Sequence, residues 1–390
     1  LKRVVIASAV RTPIGDFGGS LKAVKPVDLL IKVMKEALRR ANLAKENLEQ
    51  VVVGNCFSPI DQNVARLALL LMGVPYEVPG HTIQCACASS SQAVITGANA
   101  IALGQAGVVL AGGVESMSNA PYIMETARWG QRLRHATALD LIWYGMQEYP
   151  VGGGMGLAAE RLAERYNLSR EDLDGLALAS HQRAVRAIVE GRFKREILGV
   201  EVPAGKGKTV LVDTDEHPRK DTSMEKLAKL PAAFKEGGVV TAGNASSMND
   251  GAAAVILMSE ERAAELGVVP LARIVSYNVT AVDPHLVGIA PVPAIRNALR
   301  QGGMALEEIQ LFEINEAFAS YYLATEKELG LKRDITNVNG SGISLGHPVG
   351  CTGCRMLVTL LYEMERQGLS RGVASLCAGG GVGTAIIVER

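Results

Sequence analysis

Residues 28–53 read DLLIKVMKEALRRA-NLAKENLEQ-VVV, and this stretch decides the fold. Apolar residues at 29, 30, 33, 34, 37 and 38 recur at helical spacing, so Asp28–Ala41 is expected as a helix with Asp28 as its N-cap. Val51–Val53 is short and wholly apolar, as a buried strand is, and Val4–Ala9 upstream has the same character. Strand, helix and strand in that order predict the α/β class. The alternation continues with a helix over Gln92–Leu103 and a strand over Gly107–Ala111.

The carboxy-terminal third repeats the order: helix Pro293–Gln301, strand Gln310–Ile314, helix Cys354–Gln367, and strands Val373–Cys377 and Thr384–Glu389. At a shift of roughly 260 residues, Ala37-Leu38-Arg39 matches Ala298-Leu299-Arg300 and Asn55 matches Asn315. The same shift sets Cys87 opposite His347, and Leu110–Gly113 near Cys377–Gly380. The expectation is a duplicated α/β architecture whose corresponding loops face one another. Residues 119–247 break the pattern. They hold both tryptophans, a Gly-Gly-Gly run at 152–154, helices Gly156–Tyr166 and Arg170–Glu190, and a polar stretch at 205–220. Such a segment is expected as an inserted loop domain over the site. Strand Ala252–Met258 and helix Glu260–Leu266 then close the first half. The division expected is 1–118 plus 248–269, 119–247, and 270–390.

The 390 residues carry 40 Lys+Arg and 40 Asp+Glu. That balance argues against nucleic acid or an anionic membrane surface as the main partner. No run of about 18 apolar residues occurs, so no membrane-spanning helix is expected. The first residues read as a strand and not a signal peptide, and Val388-Glu389-Arg390 matches neither a peroxisomal nor a prenylation signal. Six cysteines in apolar or Gly-rich settings suit reduced thiols, and the expected localisation is cytoplasmic.

Three Gly-rich or small-residue settings carry the chemistry. Cys87 lies in Ala86-Cys87-Ala88-Ser89-Ser90-Ser91, ahead of helix formers. A thiol there feels the positive helix end, and its own N–H is free for an oxyanion. Cys85 reads as an ordinary small buried hydrophobe. His347 sits between glycines in Gly346-His347-Pro348, where an imidazole can accept a proton near neutral pH. Cys377 ends an apolar strand before Gly379-Gly380-Gly381. A strand follows those glycines, not a helix, which excludes a dinucleotide fingerprint and favours oxyanion donors beside a thiol. Asn315-Glu316 joins a strand to a helix, where Asn315 could hold a water or the imidazole. Cys351-x-x-Cys354 has no second ligand pair at zinc spacing, so no metal site is expected.

Cys87 with its small-residue helix, Asn315-Glu316-Ala317-Phe318-Ala319, Gly346-His347-Pro348 and Cys377-Ala378-Gly379-Gly380-Gly381 resemble, in order, the four active-site blocks of the thiolases. The likeness runs from Arg11-Thr12-Pro13-Ile14-Gly15 to Gly383-Thr384-Ala385 and is strongest to the bacterial acetyl-CoA acetyltransferase type. It implies a layered α-β-α-β-α fold, acyl-CoA and coenzyme A as substrate and product with no tightly bound cofactor, and a homodimer or homotetramer. By resemblance Cys87 is the acylated nucleophile, and His347 with Asn315 stabilises an enolate. Cys377 is then the acid/base at the α-carbon, and the N–H groups of Cys87 and Gly379 form an oxyanion hole. Ser246 would meet the pantetheine arm, Arg219 and Phe234 the adenine end, and Met155 and Phe318 the acyl pocket. The chain departs from the family's usual letters at Gln84-Cys85, Ser90-Ser91, Gly154 and Val287. Two other readings are a ketoacyl-synthase-type condensing enzyme, which puts a second histidine or Asn where Cys377 stands, and a thiolase-fold binding subunit without turnover.

Overall fold

In a computed structural model, which describes residues 1–133, 135–148, 150–205 and 207–390, the first half is built as alternating strands and helices. They are strand Val4–Arg11 (β1), helix Pro26–Arg40 (α1), strand Gln50–Gly54 (β2), helix Val64–Met72 (α2), strand Gly80–Ile83 (β3), helix Ser89–Ala102 (α3) and strand Val108–Ser116 (β4). The intervening segment contributes helices Met155–Arg165 (α4) and Arg170–Val189 (α5) before strand Asn249–Ser259 (β5). The second half runs strand Ala272–Ala281 (β6), helix Pro291–Gly302 (α6), strand Leu311–Ile314 (β7), helix Ala319–Leu329 (α7), helix Thr352–Gln367 (α8) and strands Arg371–Ala378 (β8) and Val382–Glu389 (β9).

The duplication is written in the strand pairing. In the first half β2 lies parallel to β3 and β4, β4 is antiparallel to β5, and β5 is antiparallel to β1. In the second, β7 is parallel to β8, β8 antiparallel to β9, and β9 antiparallel to β6. A single parallel bridge between Phe312 and Thr336 stands where β3 would fall. The halves join edge to edge through Val4↔Ile274, Val5↔Arg273 and Ile6↔Ala272, giving one ten-stranded sheet in the path β7-β8-β9-β6-β1-β5-β4-β2-β3, with the short strand Gly15–Asp16 pairing on β5.

Both faces of β1 are apolar because both are covered. Val5, Ala7 and Val10 pack in one core with α1 and α2, while Val4, Ile6 and Ala9 pack in another with α3 and α8. A third core holds α4, α6 and α7. The central core also takes in Val52, Val109 and Ala253 from one half of the sheet and Leu311, Ala374 and Ile386 from the other, so the order of layers is helix, half-sheet, helix, half-sheet, helix, with α3 and α8 in the middle. These two approach closely: a Cβ on Gly353 would fall 2.1 Å from Ser91 Oγ, and the backbone N–H of Cys354 donates to Ser90 Oγ at 2.9 Å. That contact satisfies an otherwise orphan donor in the first turn of α8. The Ser90-Ser91 departure thus belongs to the crossing of the central helices.

Two expectations are corrected. The N-cap of α1 is Lys25 with Pro26 in the first helical turn, and Asp28 instead lies inside that turn. Proline there presets φ and gives up an N–H that has no helical partner anyway. Helix α3 begins at Ser89 and not Gln92, because small hydroxyl side chains buried against α8 are tolerated where propensity disfavours them.

Candidate active site

Cys87, His347 and Cys377 open onto one cavity of about 390 Å³, whose lining also includes Gly379, Met155, Phe318 and Ser246. Each reaches it by a different route. Cys87 lies two residues ahead of α3, after Ala86 at φ +47°, a left-handed conformation that costs a residue with a Cβ about 1–2 kcal/mol. The elbow is held by the Cys85 N–H, which donates to Ser89 Oγ at 2.9 Å, and by Ser89 Oγ, which donates to Ala86 O at 2.6 Å. The backbone N–H groups of Gly379 and of Cys87 itself are aimed at the Cys87 sulfur and favour its thiolate. Burial outweighs them and pushes the thiol up to about 11, so it is protonated at neutral pH and must lose its proton as it attacks.

His347 is buried and tightly oriented. Gly346 ahead of it has φ +100°, and a Cβ there would fall 2.5 Å from Asn249 Cγ. The His347 N–H donates to Asn249 Oδ1 at 2.8 Å. On the ring, Nδ1 lies 2.6 Å from Thr352 Oγ1, while that hydroxyl donates to Pro348 O at 2.9 Å. A hydroxyl has one proton, so Thr352 accepts from Nδ1–H, and the free lone pair is on Nε2. Nε2 faces Asn315, whose Nδ2 is 3.5 Å away. Burial, aided by the Arg355 charge, holds the imidazole down at about 3, leaving it neutral.

Cys377 is the penultimate residue of β8, paired with Gly383 on β9. The hairpin turn uses Gly380 and Gly381 at φ +82° and +85°, and a Cβ on Gly381 would collide with Val282 O at 2.3 Å. Burial pushes the Cys377 thiol up, and negative charge at Cys87 pushes it further. Asn315 stands behind His347, not in the cavity wall. Its Oδ1 is buried with no partner among the described residues, which leaves an acceptor that a water would satisfy. Glu316 accepts from Ser180 Oγ and Asn337 Nδ2, which fixes the turn that presents Asn315.

The residues expected to meet coenzyme A divide. Ser246 and Phe318 share the catalytic cavity, tied by the Ser246 N–H donating to Ala317 O at 2.9 Å. Arg219 lines a separate cavity of about 230 Å³ with His181, His217 and Lys226. Phe234 is in the lining of neither cavity: it packs edge-on to Phe318, ring centres 5.8 Å apart, and covers Gly156, where a Cβ would lie 2.1 Å from its ring. Val287 is in the catalytic cavity wall, whereas Gly154 caps α4 at φ +78°.

Three residues escaped the sequence reading. Cys85 is partly exposed in the catalytic cavity with Cys56, and is not the buried hydrophobe expected. Thr352 orients His347. Glu115, at the end of β4, accepts from the N–H groups of Cys56, Phe57 and Gly350. It clamps the wall beside Cys87 to the loop after His347, and burial pushes its carboxyl up to about 7. A lone acid closing an apolar strand was the available signal for Glu115. Thr352 offered none, because its role depends on a hydrogen bond across a turn.

Residues 4–261 match the family model "Thiolase, N-terminal domain" and residues 268–390 match "Thiolase, C-terminal domain". The chain is 46% identical to the acetyl-CoA acetyltransferase of Syntrophomonas wolfei over 394 residues, covering 100% of this chain and 99% of that protein. It superposes on the crystal structure of the Bacillus anthracis acetyl-CoA acetyltransferase with a TM-score of 0.97 at 49% identity, covering 100% of this chain and 99% of that one. Human mitochondrial 3-ketoacyl-CoA thiolase in complex with CoA gives a TM-score of 0.95 at 41% identity, covering 100% and 98%. With both domains of one family matched in order and full-length relatives above 40% identity, the chain belongs to the thiolases.

Proposed function

We propose that the protein is an acyl-CoA C-acyltransferase that joins two acetyl-CoA molecules into acetoacetyl-CoA, or cleaves a 3-ketoacyl-CoA in reverse, through an acyl group on Cys87. The observation that carries this reading is the convergence of Cys87, Cys377 and the His347 imidazole on one cavity. In the condensing direction Cys87 Sγ attacks the thioester carbonyl while His347 Nε2 takes the thiol proton, and coenzyme A leaves as its thiol with the proton of Cys377, which becomes a thiolate. The N–H groups of Cys87 and Gly379 receive the carbonyl oxygen. Cys377 then removes the α-proton of the second acetyl-CoA, and the enolate oxygen is met by His347 and a water on Asn315. The carbanion attacks the acyl carbonyl, and Cys87 departs with its proton restored. Covalent capture divides a hard step in two, and preorganised donors lower the cost of each oxyanion.

Coenzyme A passes Ser246, Met155, Phe318 and Phe234 in this reading and ends near Arg219, whose cavity also offers Lys226 to phosphate. The division into 1–118 plus 248–269, 119–247 and 270–390 follows, with the middle part covering the site. A homodimer or homotetramer is supported by the position of β3 at the edge of the sheet and by the exposed Trp129 and Leu133. Among the described residues no helix is long and apolar enough to cross a membrane. We place the enzyme in the cytoplasm and in fatty-acid metabolism on the same reading. The test is peptide mass spectrometry after incubation with acetyl-CoA or acetoacetyl-CoA. An acyl adduct on Cys87 is expected, and no adduct with any acyl-CoA overturns the proposal.

A further inference from the structure

A surface cavity of about 560 Å³, distinct from the two already described, is lined by Arg183, Arg186, Arg192, Arg333 and Arg366 with Asp334 as its one carboxylate. Four segments deliver these guanidiniums, Arg192 coming from the turn just after α5. Arg183 and Arg186 share a face of α5, Arg333 comes from the segment after α7, and Arg366 from the last turn of α8. Three of the five are drawn to carboxylates: Arg192 to Glu190, Arg333 to Glu326, and Arg366 to Glu363. The other two are not. Arg183 donates only to backbone oxygens, those of Thr336, Asn337 and Arg333, and the Arg186 guanidinium has no hydrogen-bond or ion-pair partner among the described residues. Like charges one helical turn apart repel, and three more guanidiniums nearby add to that repulsion. An oxyanion seated between them would offset it, because guanidinium forks match phosphate oxygens two at a time.

We infer that this cavity binds a small phosphorylated molecule presenting two or more adjacent oxyanions. The site is built into the frame of the catalytic loop. Asn337, whose carbonyl Arg183 holds, donates to Glu316 beside Asn315, and Arg192 donates to Asn339 at 2.8 Å. Inorganic pyrophosphate is the probe, read by calorimetry and by thermal melting of the full-length protein at low ionic strength. The wild type is expected to bind and to melt higher. Arg186→Glu, an exposed change with no partner to break, should weaken binding by at least about tenfold while leaving acyl transfer unchanged. Arg219→Ala separates this site from the cavity assigned to coenzyme A and should leave pyrophosphate binding intact. No binding by the wild type overturns the inference. So does full affinity in Arg186→Glu, loss in Arg219→Ala alone, or competitive displacement of pyrophosphate by coenzyme A.

Discussion

Ahead of α3 the chain turns on Ala86 at φ +47°; ahead of α8, at the corresponding place in the second half, it turns on Gly346 at φ +100°. The frames match in strand pairing except at β3, where the second half has only a single bridge, yet the first loop presents a thiol and the second an imidazole. The elbow at Ala86 is compact and braced by Ser89. The loop at Gly346 is longer, and it is braced by Asn249 from β5 and Glu115 at the end of β4, strands of the other half. The difference teaches that duplication supplied the two sites of presentation, and that divergence of a few residues in each loop supplied the chemistry.

The sharpest way to break this comparison is to remove one partner at a time. Cys87→Ala should abolish the acyl adduct and lower turnover by at least about 10⁴-fold, read by intact mass and by coenzyme A release. Turnover near the wild-type rate would show that the first loop is not the one that carries the acyl group. Cys377→Ala should still acylate, while condensation and α-proton exchange fall about 10²–10⁴-fold. Deuterium exchange into acetyl-CoA measures this, and undiminished exchange removes Cys377 from the mechanism.

The second loop is probed through its orientation and its charge. Thr352→Val removes the acceptor for Nδ1–H, worth about 1 kcal/mol, so kcat/KM should drop about fivefold with little change in stability. An unchanged value would mean that packing alone fixes the ring. The pH dependence follows from signs already given. With His347 held down at about 3 and the Cys87 thiol up at about 11, alkylation of Cys87 should rise steadily across pH 7–10. No step should occur near the ordinary histidine value, and one there would place a protonating imidazole in the site.

The two turns themselves should respond oppositely. Gly346→Ala meets both a left-handed φ and the Asn249 amide, and should cost at least about 2 kcal/mol in thermal unfolding. Ala86→Gly relieves the Cβ at φ +47° but frees the unfolded chain, for a net gain of about 0.5 kcal/mol. A loss in both would mean that the first turn depends on the Ala86 methyl, which faces Gly379 so closely that a Cβ added there would lie 3.5 Å from it.

Much of this was legible in the letters. Helical periodicity located α1, α6 and α8, and apolar runs located β1, β2 and β8, because one buried stripe or two buried faces dictate those patterns. Cys87, His347 and Cys377 stood out because glycines and small residues leave a reactive side chain reachable by substrate. Ser89–Ser91 resisted reading as helix, since serine is a poor helix former and only the close approach of α8 explains it. Cys85 was misjudged for the same reason: nothing local distinguishes a cysteine in a core from one in a cavity wall.

Taken alone, the order of amino acids determined the alternation of strands and helices, the doubling of the frame and the reactive groups, since all three are local or periodic properties. Tertiary structure decided what those groups can do. The tautomer of His347 depends on Thr352 and Pro348, the high thiol pKa values on burial, and the placing of Arg219 in a cavity other than the catalytic one on how the middle segment folds back. Each of these rests on distances between residues far apart in the chain, which no pattern of neighbours encodes.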